Sequence, residues 1–529
     1  MSSKRLKPIG FILSLGLLRD VALTASIASS VPVRVPATVP AGASPAINPD
    51  FLGLAFEQSS FARYAEDDSS NINTFSTNLL KSIYSRTGGK PNIRLGGTSS
   101  DYGHYLPGQN VTALPVAEQD NYQNIGHTNI GPSYWALTKN FPEAVYIVQV
   151  PLATRNISEP VAWVQSAVAG IDPSQLFSIQ PGNEPDLYTN TFTGAGGVAL
   201  HPPNYQGKLT SATYVGNWTA YVSAIKAAVP SVPSGRAFSA FDIASSHKDV
   251  FPVDTCFGLG IDAGSVIKEV ASHYYQGNAG TAATLASGLM NLTATHASLD
   301  AFRVRIDWLR ENRPEISFVL SEVGNSLQHT HTYEYQARLG SALWQVDFYL
   351  YSMAIGIKRI NYQQIMHAGY DLWLPVASAG LQPQVFSNYY SQPFLADFIG
   401  KSGKTRVAQL SANNPNISAY AAYESGKAKR IAAVNMAYWN STSSTTARSN
   451  VALEIKVPKN VAQATVYRLT SPAGAGAAAD SITYGGSQWT YASLGREVKG
   501  VRQDREMLNV TGGLVRVAVA DSEAVLVWL

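Results

Sequence analysis

Two glutamates stand at the ends of strand-like runs in this sequence. Glu184 follows the run FSIQP (177–181) and lies between Asn183 and Pro185, and Glu322 ends the run ISFVLSE (316–322). Two carboxyl groups held close together can cleave a glycosidic bond, because one protonates the leaving oxygen while the other attacks or stabilises the oxocarbenium-like centre. An Asn-Glu-Pro tripeptide alone is more typical of a helix start. The interpretation therefore depends on the elements that carry the two glutamates.

Eight strand-like runs recur along the first two-thirds of the chain. They cover residues 51–57, 91–97, 144–152, 177–185, 236–244, 267–275, 316–324 and 358–366, and helical segments such as 77–86, 160–170, 218–229 and 335–356 separate them. Continuous apolar runs are typical of parallel strands covered on both faces. Eight strand–helix units predict an α/β fold of the (β/α)₈ TIM-barrel type, whereas a doubly wound open sheet usually has five or six strands.

The carboxyl ends of the strands meet on one face of such a barrel, and functional groups collect there. Glu184 and Glu322 end the fourth and seventh strands, which face each other across the barrel, so their carboxyl groups are expected to approach closely. The other candidates at strand ends are Glu57, Gly97, Thr98, Asp101, Asn183, His273, Tyr275, Gln363 and Gln364. For Glu57 and Asp101, a cap or loop hydrogen bond competes with substrate contact, and His273 could instead be a core histidine.

The pattern changes near residue 400. Short alternating runs, such as 416–424, 430–439, 452–458, 463–470 and 514–529, are separated by turn residues, and they predict an antiparallel β-sandwich. The predicted domains are a catalytic barrel at 49–398 and a C-terminal β-sandwich at 399–529. The alternating stretch VPVRVPATVP (31–40) predicts that the segment 31–48 adds a strand to the sandwich.

The first residues have the pattern of an export signal. Lys4, Arg5 and Lys7 precede the apolar run 9–18, and a small-residue stretch follows at 25–30, so residues 1–28 are predicted to be a signal peptide of a secreted protein. Ten apolar residues are too few to span a bilayer. Seven N-x-S/T sequons are compatible with a secreted glycoprotein; they begin at Asn110, Asn156, Asn217, Asn291, Asn416, Asn440 and Asn509.

The composition and motifs of the chain argue against several classes of binding partner. Charged residues make up 14% of the 529 residues, the net charge is only +3, and no Lys/Arg run resembles the electrostatic footprint of a nucleic-acid-binding protein. The sequence has no H-E-x-x-H zinc motif and no G-x-S-x-G elbow. We therefore expect no cofactor, no metal and no membrane partner, and a carbohydrate substrate bound by a monomer or weak homo-oligomer.

Several motifs together resemble glycoside hydrolase family 79, the family of heparanases and β-glucuronidases. They are GNEP (182–185), LSEVGNS (320–326), RLGGTSSDY (94–102), SHYYQ (272–276), FLGLAFE (51–57) and FSNYYSQPFLADFIG (386–400). The resemblance implies a retaining double displacement with Glu184 as acid/base and Glu322 as nucleophile. It also implies Asn183 at the sugar 2-hydroxyl and Tyr275 hydrogen-bonded to the nucleophile.

The resemblance further implies a sugar pocket, in which the sequence departs from the family at two places. Glu57, Thr98 and Asp101 match pocket positions, although Glu57 replaces an expected aspartate. The family's Tyr-Gly-Gly run after the nucleophile, which holds the uronate carboxylate, is missing from residues 322–336. Asn325, Tyr333 and His329 are the candidate replacements, Gly97, His273 and Gln364 complete the substrate-binding set, and Tyr370 and Trp373 are candidates for an aromatic wall.

The function expected from the sequence is a secreted, exo-acting β-glucuronidase that removes terminal glucuronic acid or 4-O-methylglucuronic acid. One alternative is an endo-acting, heparanase-like glycosaminoglycan hydrolase; the mild charge, and a loop at 191–204 that could wall the cleft, favour a pocket instead. A retaining β-glycosidase for a neutral sugar is a second alternative. The third is a carbohydrate-binding barrel without turnover.

Overall fold

The computed structural model describes residues 29–115, 127–188, 206–244, 250–277, 285–327, 332–458 and 460–529. The predicted signal peptide, the loop 191–204 and His329 lie outside the described residues. None of the helices in the described ranges is long and apolar enough to cross a membrane.

Strands in the first part of the chain include those of the barrel. In chain order they are β1 Ser29–Arg34, β2 Leu52–Glu57, β3 Asn92–Gly96, β4 Ala113–Leu114, β5 Asn129–Ile130, β6 Val145–Val150, β7 Leu176–Pro181, β8 Phe238–Ile243, β9 Ile267–Gly277, β10 Ser317–Ser326, β11 Ile360–Gln364, β12 Trp373–Leu374 and β13 Gln384–Val385. The C-terminal strands are β14 Arg406–Leu410, β15 Ile417–Glu424, β16 Lys427–Asn435, β17 Asn450–Lys456, β18 Gln463–Thr470, β19 Thr483–Tyr484, β20 Gln488–Trp489, β21 Glu497–Val498, β22 Arg505–Asn509, β23 Leu514–Ala520 and β24 Glu523–Trp528.

Helices follow most barrel strands. The α-helices are α1 Gln58–Ala65, α2 Thr74–Thr87, α3 Thr98–Asp101, α4 Ser158–Gly170, α5 Ser211–Ala228, α6 Val253–Gly258, α7 Leu292–Asp300, α8 Arg303–Asn312, α9 Thr332–Tyr335, α10 Leu339–Ile355 and α11 Ser391–Ile399. Short 3-10 helices span Pro132–Asn140, Pro185–Leu187, Ser387–Tyr390 and Ala479–Ser481, and a π-helical turn spans Leu285–Leu289.

Eight parallel strands close into a barrel, in the order β2, β3, β6, β7, β8, β9, β10 and β11. Each of them overlaps one predicted run, so the predicted (β/α)₈ fold is confirmed. The strands are buried on both faces because helices cover the outside of the barrel and side chains fill its interior. Consequently the polar side chains at their carboxyl ends are brought together at one mouth.

Helix α10 is buried on nearly every side, not only along the apolar stripe predicted from Leu339, Leu343, Val346, Leu350 and Met353. It packs against the barrel on one side and against the C-terminal domain on the other. Its buried Asp347 accepts a hydrogen bond from the Tyr420 hydroxyl of β15 at 2.7 Å. A helix that is buried around nearly its whole circumference fits this position between two domains.

The C-terminal domain consists of two stacked sheets, as predicted. One has the order β1-β17-β23, and the other has the order β14-β15-β16-β24-β18-β19 with β22 beside β18. Strand β1 comes from the N-terminal segment and pairs in parallel with β17, so the smaller sheet is mixed rather than purely antiparallel. The single run 514–529 folds as two strands, β23 and β24, which enter different sheets on either side of a turn at Ser522.

Residues 479–504 of the sandwich pack against helix α2 of the barrel. The Arg86 guanidinium of α2 forms ion pairs with Glu497 at 2.7 Å and with Asp397 at 3.4 Å, and it lies over the ring of Trp489. The Trp489 indole donates a hydrogen bond to the Ser82 hydroxyl at 2.8 Å. These largely buried polar contacts hold the sandwich against the outside of the barrel.

Candidate active site

The turn after β7 places Glu184 at the barrel mouth. Strand β7 ends at Pro181, Gly182 adopts φ +92°, and Glu184 itself has φ +47° and ψ +53°. A non-glycine residue in this left-handed region is disfavoured by about 1 kcal/mol or more. The conformation is held by a hydrogen bond from the Glu184 amide to the Asp242 carbonyl at 2.9 Å, and Pro185 starts a single 3-10 turn directly afterwards.

Glu322 lies on β10, where the register with both neighbouring strands shifts. Both of its carboxylate oxygens have donors. Arg94 Nη1 lies 2.8 Å from Oε2, and the Tyr275 hydroxyl donates to Oε1 at 2.7 Å. The side chain is only 8% exposed, so this carboxylate is oriented rigidly and faces the centre of the mouth.

The two glutamates meet around His273. His273 Nδ1 lies 3.0 Å from Glu184 Oε1 and 3.9 Å from Glu322 Oε1, and one oxygen of each carboxyl group lies within 4.8 Å of the other. Carboxyl separations of about 5–5.5 Å accompany retention at the anomeric carbon, and about 6.5–9.5 Å accompany inversion. Nearest oxygens within 4.8 Å of each other are closer to the spacing of retaining enzymes, in which one carboxylate attacks directly.

Arg94 is the central cation of the site, and the sequence analysis missed it. Its guanidinium is fully buried and donates to Glu322, to Asp242 Oδ2 at 2.7 Å and to Asn183 Oδ1 at 2.7 Å. The amides of Gln149 and Gln180 accept its remaining hydrogen bonds. The only sequence signal was an arginine inside an otherwise apolar barrel strand, a position that a charge rarely occupies without a partner.

Asp242 is the second missed residue, and it sets the charge of His273. Its Oδ1 lies 2.9 Å from His273 Nε2. Burial raises the pKa of Asp242, but Arg94 and His273 outweigh this effect and bring the pKa down to about 2. Burial lowers the pKa of His273, but the Asp242 and Glu322 carboxylates raise it well above its usual range. His273 is therefore an imidazolium clamped between Asp242 and Glu184.

Burial raises the pKa of Glu184, and the negative charge of Glu322 adds to this, while the hydrogen bond and charge of His273 oppose it. The net shift is upward, so Glu184 keeps its proton at a higher pH than an exposed glutamate would. At these distances Glu184 and Glu322 can serve as an acid and a nucleophile on either side of one small space.

A third glutamate, Glu57, borders the pair. Its Oε1 accepts from the Ser99 amide at 2.8 Å and from the Ser99 hydroxyl, and its Oε2 accepts from Gln363 Nε2 at 3.0 Å. Burial and the neighbouring Glu322 raise the pKa of Glu57 to about 7. Gly97 makes room for it, because a Cβ atom at Gly97, which has φ +94°, would lie 1.9 Å from Glu57 Oε2.

Other residues that the sequence predicts to be near the substrate line the barrel mouth beside the glutamates. Asn183 Nδ2 lies 3.5 Å from Thr98 Oγ1, which places both beside Glu184. The Tyr370 ring lies 5.7 Å from the Tyr275 ring and packs against Gly324. Trp373, by contrast, is fully buried and donates to Ser76, so it belongs to the core and not to the wall.

Asp101 was predicted to contact substrate, and this is wrong. The side chain is fully buried, and its oxygens accept from the amides of Leu152, Ala153 and Asn183 and from the Tyr188 hydroxyl. Burial raises the pKa of Asp101 to about 6. Asp101 thus braces the turn that carries Asn183 and Glu184 from below.

Asn325 and Gln364 face away from the site, so their predicted substrate contacts are also wrong. Asn325 Nδ2 donates to the Gln336 carbonyl at 2.7 Å and to Ser341, and Gln364 Oε1 accepts from the Leu372 amide at 3.0 Å. Side chains alternate along a strand, so a residue one position from an inward one points outward. The inward glutamine is Gln363, which contacts Glu57.

Two further predicted residues are placed differently from expectation. His273 is buried between carboxyl groups, so it positions Glu184 and does not face substrate. Tyr333 stacks on Phe386, with ring centroids 4.7 Å apart, in a neighbouring cleft between the barrel and the sandwich.

Among the described residues, one group has possible metal-ligating atoms close enough together to bind a metal ion. It consists of Glu184, His273 and Glu322. The protonation state of His273 does not fit this role. An imidazolium has protons on both ring nitrogens and no lone pair to donate, and both nitrogens already face carboxylates. The chemistry of this donor set therefore favours proton transfer over metal binding.

Comparison with known proteins agrees with the fold. Residues 419–526 match the glycosyl hydrolase family 79 C-terminal beta domain. The chain is 29% identical to a β-glucuronidase of Neurospora crassa over 422 residues, covering 74% of this chain and 73% of that one. It is 28% identical to a β-glucuronidase of Aspergillus niger over 416 residues, covering 76% and 74%.

Among solved structures, a 4-O-α-L-rhamnosyl-β-D-glucuronidase from Fusarium oxysporum superposes with a TM-score of 0.76 at 19% identity, covering 94% of this chain and all of that one. A family 51 α-L-arabinofuranosidase from Bifidobacterium longum superposes with a TM-score of 0.62 at 13% identity, covering 94% and 99%. The fold and the site define a barrel glycosidase with an appended β-sandwich. Within that class, the C-terminal domain matches the family 79 model, and the chain is similar to two β-glucuronidases over about three-quarters of its length.

The charge assignment of His273 can be tested with Asp242→Asn. This change keeps the shape of the side chain and removes the largest charge that stabilises the imidazolium, so the pKa of His273 is expected to fall. Ring resonances of His273, followed by NMR against pH in protein labelled at histidine, would report the shift. Asp172→Asn on the surface is the control and should leave the titration unchanged; an unaltered His273 titration in Asp242→Asn would contradict the assignment.

Proposed function

We propose that this protein is a retaining, exo-acting β-glucuronidase that removes terminal β-linked glucuronic acid, or its 4-O-methyl ether, from glycans or glycosides. The observation that carries the proposal is the pair Glu184 and Glu322, with oxygens within 4.8 Å of each other on facing strands. The β-glucuronidases of N. crassa and A. niger, related over about three-quarters of the chain, support the substrate class.

In the first step Glu322 Oε1 or Oε2 attacks the anomeric carbon, and Glu184 transfers its proton to the departing glycosidic oxygen. Arg94 and Tyr275 hold Glu322 in one orientation, and Arg94 stabilises its ionised form. His273 donates to Glu184 Oε1, which leaves Oε2 as the oxygen that carries the transferable proton. The elevated pKa of Glu184 keeps that proton in place until the leaving group arrives.

In the second step water enters where the leaving group was. Glu184, now ionised, takes a proton from this water. At the same time the water oxygen attacks the anomeric carbon, and the bond between that carbon and Glu322 breaks. The sugar leaves with retained configuration, and both glutamates return to their starting protonation states. The imidazolium of His273 stabilises Glu184 during the interval in which Glu184 is charged.

The charge balance of the mouth suits an anionic sugar. Arg94 and His273 supply two positive charges, and Asp242 and Glu322 supply two negative ones. The pKa values of Glu184 and Glu57 are both raised, that of Glu57 to about 7, which favours their neutral forms under mildly acidic conditions. The pocket therefore has little net negative charge to repel a uronate, although it contains four carboxyl groups.

Aryl β-glycosides of glucuronic acid, glucose, galactose and xylose test the function directly. We expect the wild-type protein to hydrolyse the glucuronide, and Glu322→Gln to lower kcat by about 10³-fold or more because it removes the nucleophile. Glu311→Gln, an exposed glutamate on α8, is the control and should retain full activity.

Each alternative function predicts a different result, two of them with the aryl glycosides and one with heparin or hyaluronan as substrate. Hydrolysis of only the neutral glycosides would contradict the uronate assignment, and release of internal oligosaccharides from heparin or hyaluronan would contradict exo action. If the wild-type protein hydrolysed no glycoside faster than Glu322→Gln, the result would support the carbohydrate-binding barrel without turnover.

We also propose that residues 1–28 direct secretion and are then removed. The first strand of the sandwich, β1, begins at Ser29, so cleavage near residue 28 would leave that strand intact. Mass spectrometry of the protein from culture medium should find an N-terminus near residue 29. Recovery of the full chain, starting at Met1, from inside the cells would contradict export. A monomeric or weakly oligomeric state stays a prediction.

A further inference from the structure

A second cleft lies on the seam between the barrel and the β-sandwich. Its volume is about 410 Å³, within the roughly 300–1,000 Å³ of small-molecule sites. The barrel contributes Tyr333, Arg338 and Phe386 from the connections after β10 and β11, and the sandwich contributes Asp480, Trp489 and Tyr491. Neither domain forms this cleft alone.

The cleft opens on the same face of the barrel as the carboxylate pair. Its barrel residues follow the carboxyl ends of β10 and β11, which are the strand ends that carry Glu322 and Gln363. The wall that the sandwich contributes also lies near this face. The ring of Tyr491 is 5.1 Å from that of Phe75, which is in the first turn of α2, and barrel helices begin on the face where the strands end.

Hydrogen bonds join the cleft wall to the wall of the candidate active site. The Phe386 amide donates to the Leu372 carbonyl at 2.9 Å, and Asn388 Nδ2 donates to the carbonyls of Tyr370 at 3.1 Å and Gln336 at 2.8 Å. Tyr370 in turn packs beside Tyr275, the partner of Glu322. The wall of the catalytic pocket and the wall of the cleft are therefore adjacent parts of one hydrogen-bonded segment, and a ligand that extends from the pocket along this face is directed towards the cleft.

The lining of the cleft has the chemistry that sugars require. Aromatic rings offer apolar faces on which the C–H surfaces of a pyranose stack, and Tyr491 is 45% exposed at the opening. Arg338 and Asp480 place a hydrogen-bond donor and an acceptor on opposite walls, where hydroxyl groups can bind both. A lipid chain would add no hydrogen bond to these charged groups, whereas a polyhydroxylated ring can bond to both.

We propose that this cleft binds a saccharide unit of the glycan that carries the hydrolysed sugar, so that the sandwich takes part in substrate selection. The inference rests on the proposed function, because the saccharide is one attached to the β-glucuronide. An aryl glucuronide is too short to use the cleft, and an oligosaccharide glucuronide gains the extra contact.

The test compares two substrates in the full-length protein: p-nitrophenyl β-glucuronide, and glucuronic acid β-linked to galactotetraose or xylotetraose. Tyr491→Ala is expected to lower kcat/KM on the better oligosaccharide about three- to tenfold, the value of one lost ring contact, and to leave the aryl glucuronide within twofold. Arg338→Gln, on the opposite wall, should act in the same direction. Tyr491→Phe keeps the ring and should behave as wild type.

Tyr438→Ala is the matched control, since Tyr438 is a similarly exposed tyrosine of the sandwich away from the cleft, at 39%. Equal losses on both substrates, or no loss on either, would overturn the proposal. Calorimetric titration of the free tetraoses into Glu322→Gln separates this result from the proposed function, because it needs no hydrolysis. Binding that Tyr491→Ala weakens supports the cleft even if no glucuronide is cleaved, and absence of binding to either tetraose contradicts it.

Discussion

The site depends on one buried cation, Arg94, and on the carboxylates that neutralise it. A charge removed from water without a partner is destabilising by several kcal/mol, so Arg94 can be buried only while Asp242 and Glu322 stay ionised and close. The Arg94 guanidinium also orients Glu322, and it leaves Asp242 with a second oxygen for His273. The same guanidinium orients Asn183, one residue before the acid Glu184.

Barrel closure supplies the geometry for this network. Arg94 comes from β3, Asp242 from β8, His273 from β9 and Glu322 from β10, and the turn after β7 adds Glu184. An open sheet would not bring strands so far apart in order within hydrogen-bonding distance of one another. The left-handed conformation of Glu184, held by the Asp242 carbonyl, shows that even the local backbone of the acid depends on a neighbouring strand.

The barrel could be predicted from the sequence because buried parallel strands are long apolar runs, and all eight of them stand out. Glu184 and Glu322 were recognisable because they end such runs. Arg94 and Asp242 lie within runs, where a single charge gives no indication of its partner. Gln364 was selected together with Gln363 because adjacent polar residues at a strand end look alike. Asn325 was selected as a replacement for the missing Tyr-Gly-Gly run, and the register shift in β10 is not visible in the sequence. The direction of Asp101 is set by the backbone amides of another loop, at Leu152 and Ala153.

The central claim is that Glu322 attacks the sugar directly, and the configuration of the first product tests it most closely. Proton NMR during rapid hydrolysis of an aryl β-glucuronide distinguishes the two anomers before they equilibrate. Carboxyl oxygens within 4.8 Å of each other predict that β-glucuronic acid accumulates first and the α-anomer only later. Initial release of the α-anomer would mean that water, and not Glu322, attacks, and would contradict the account.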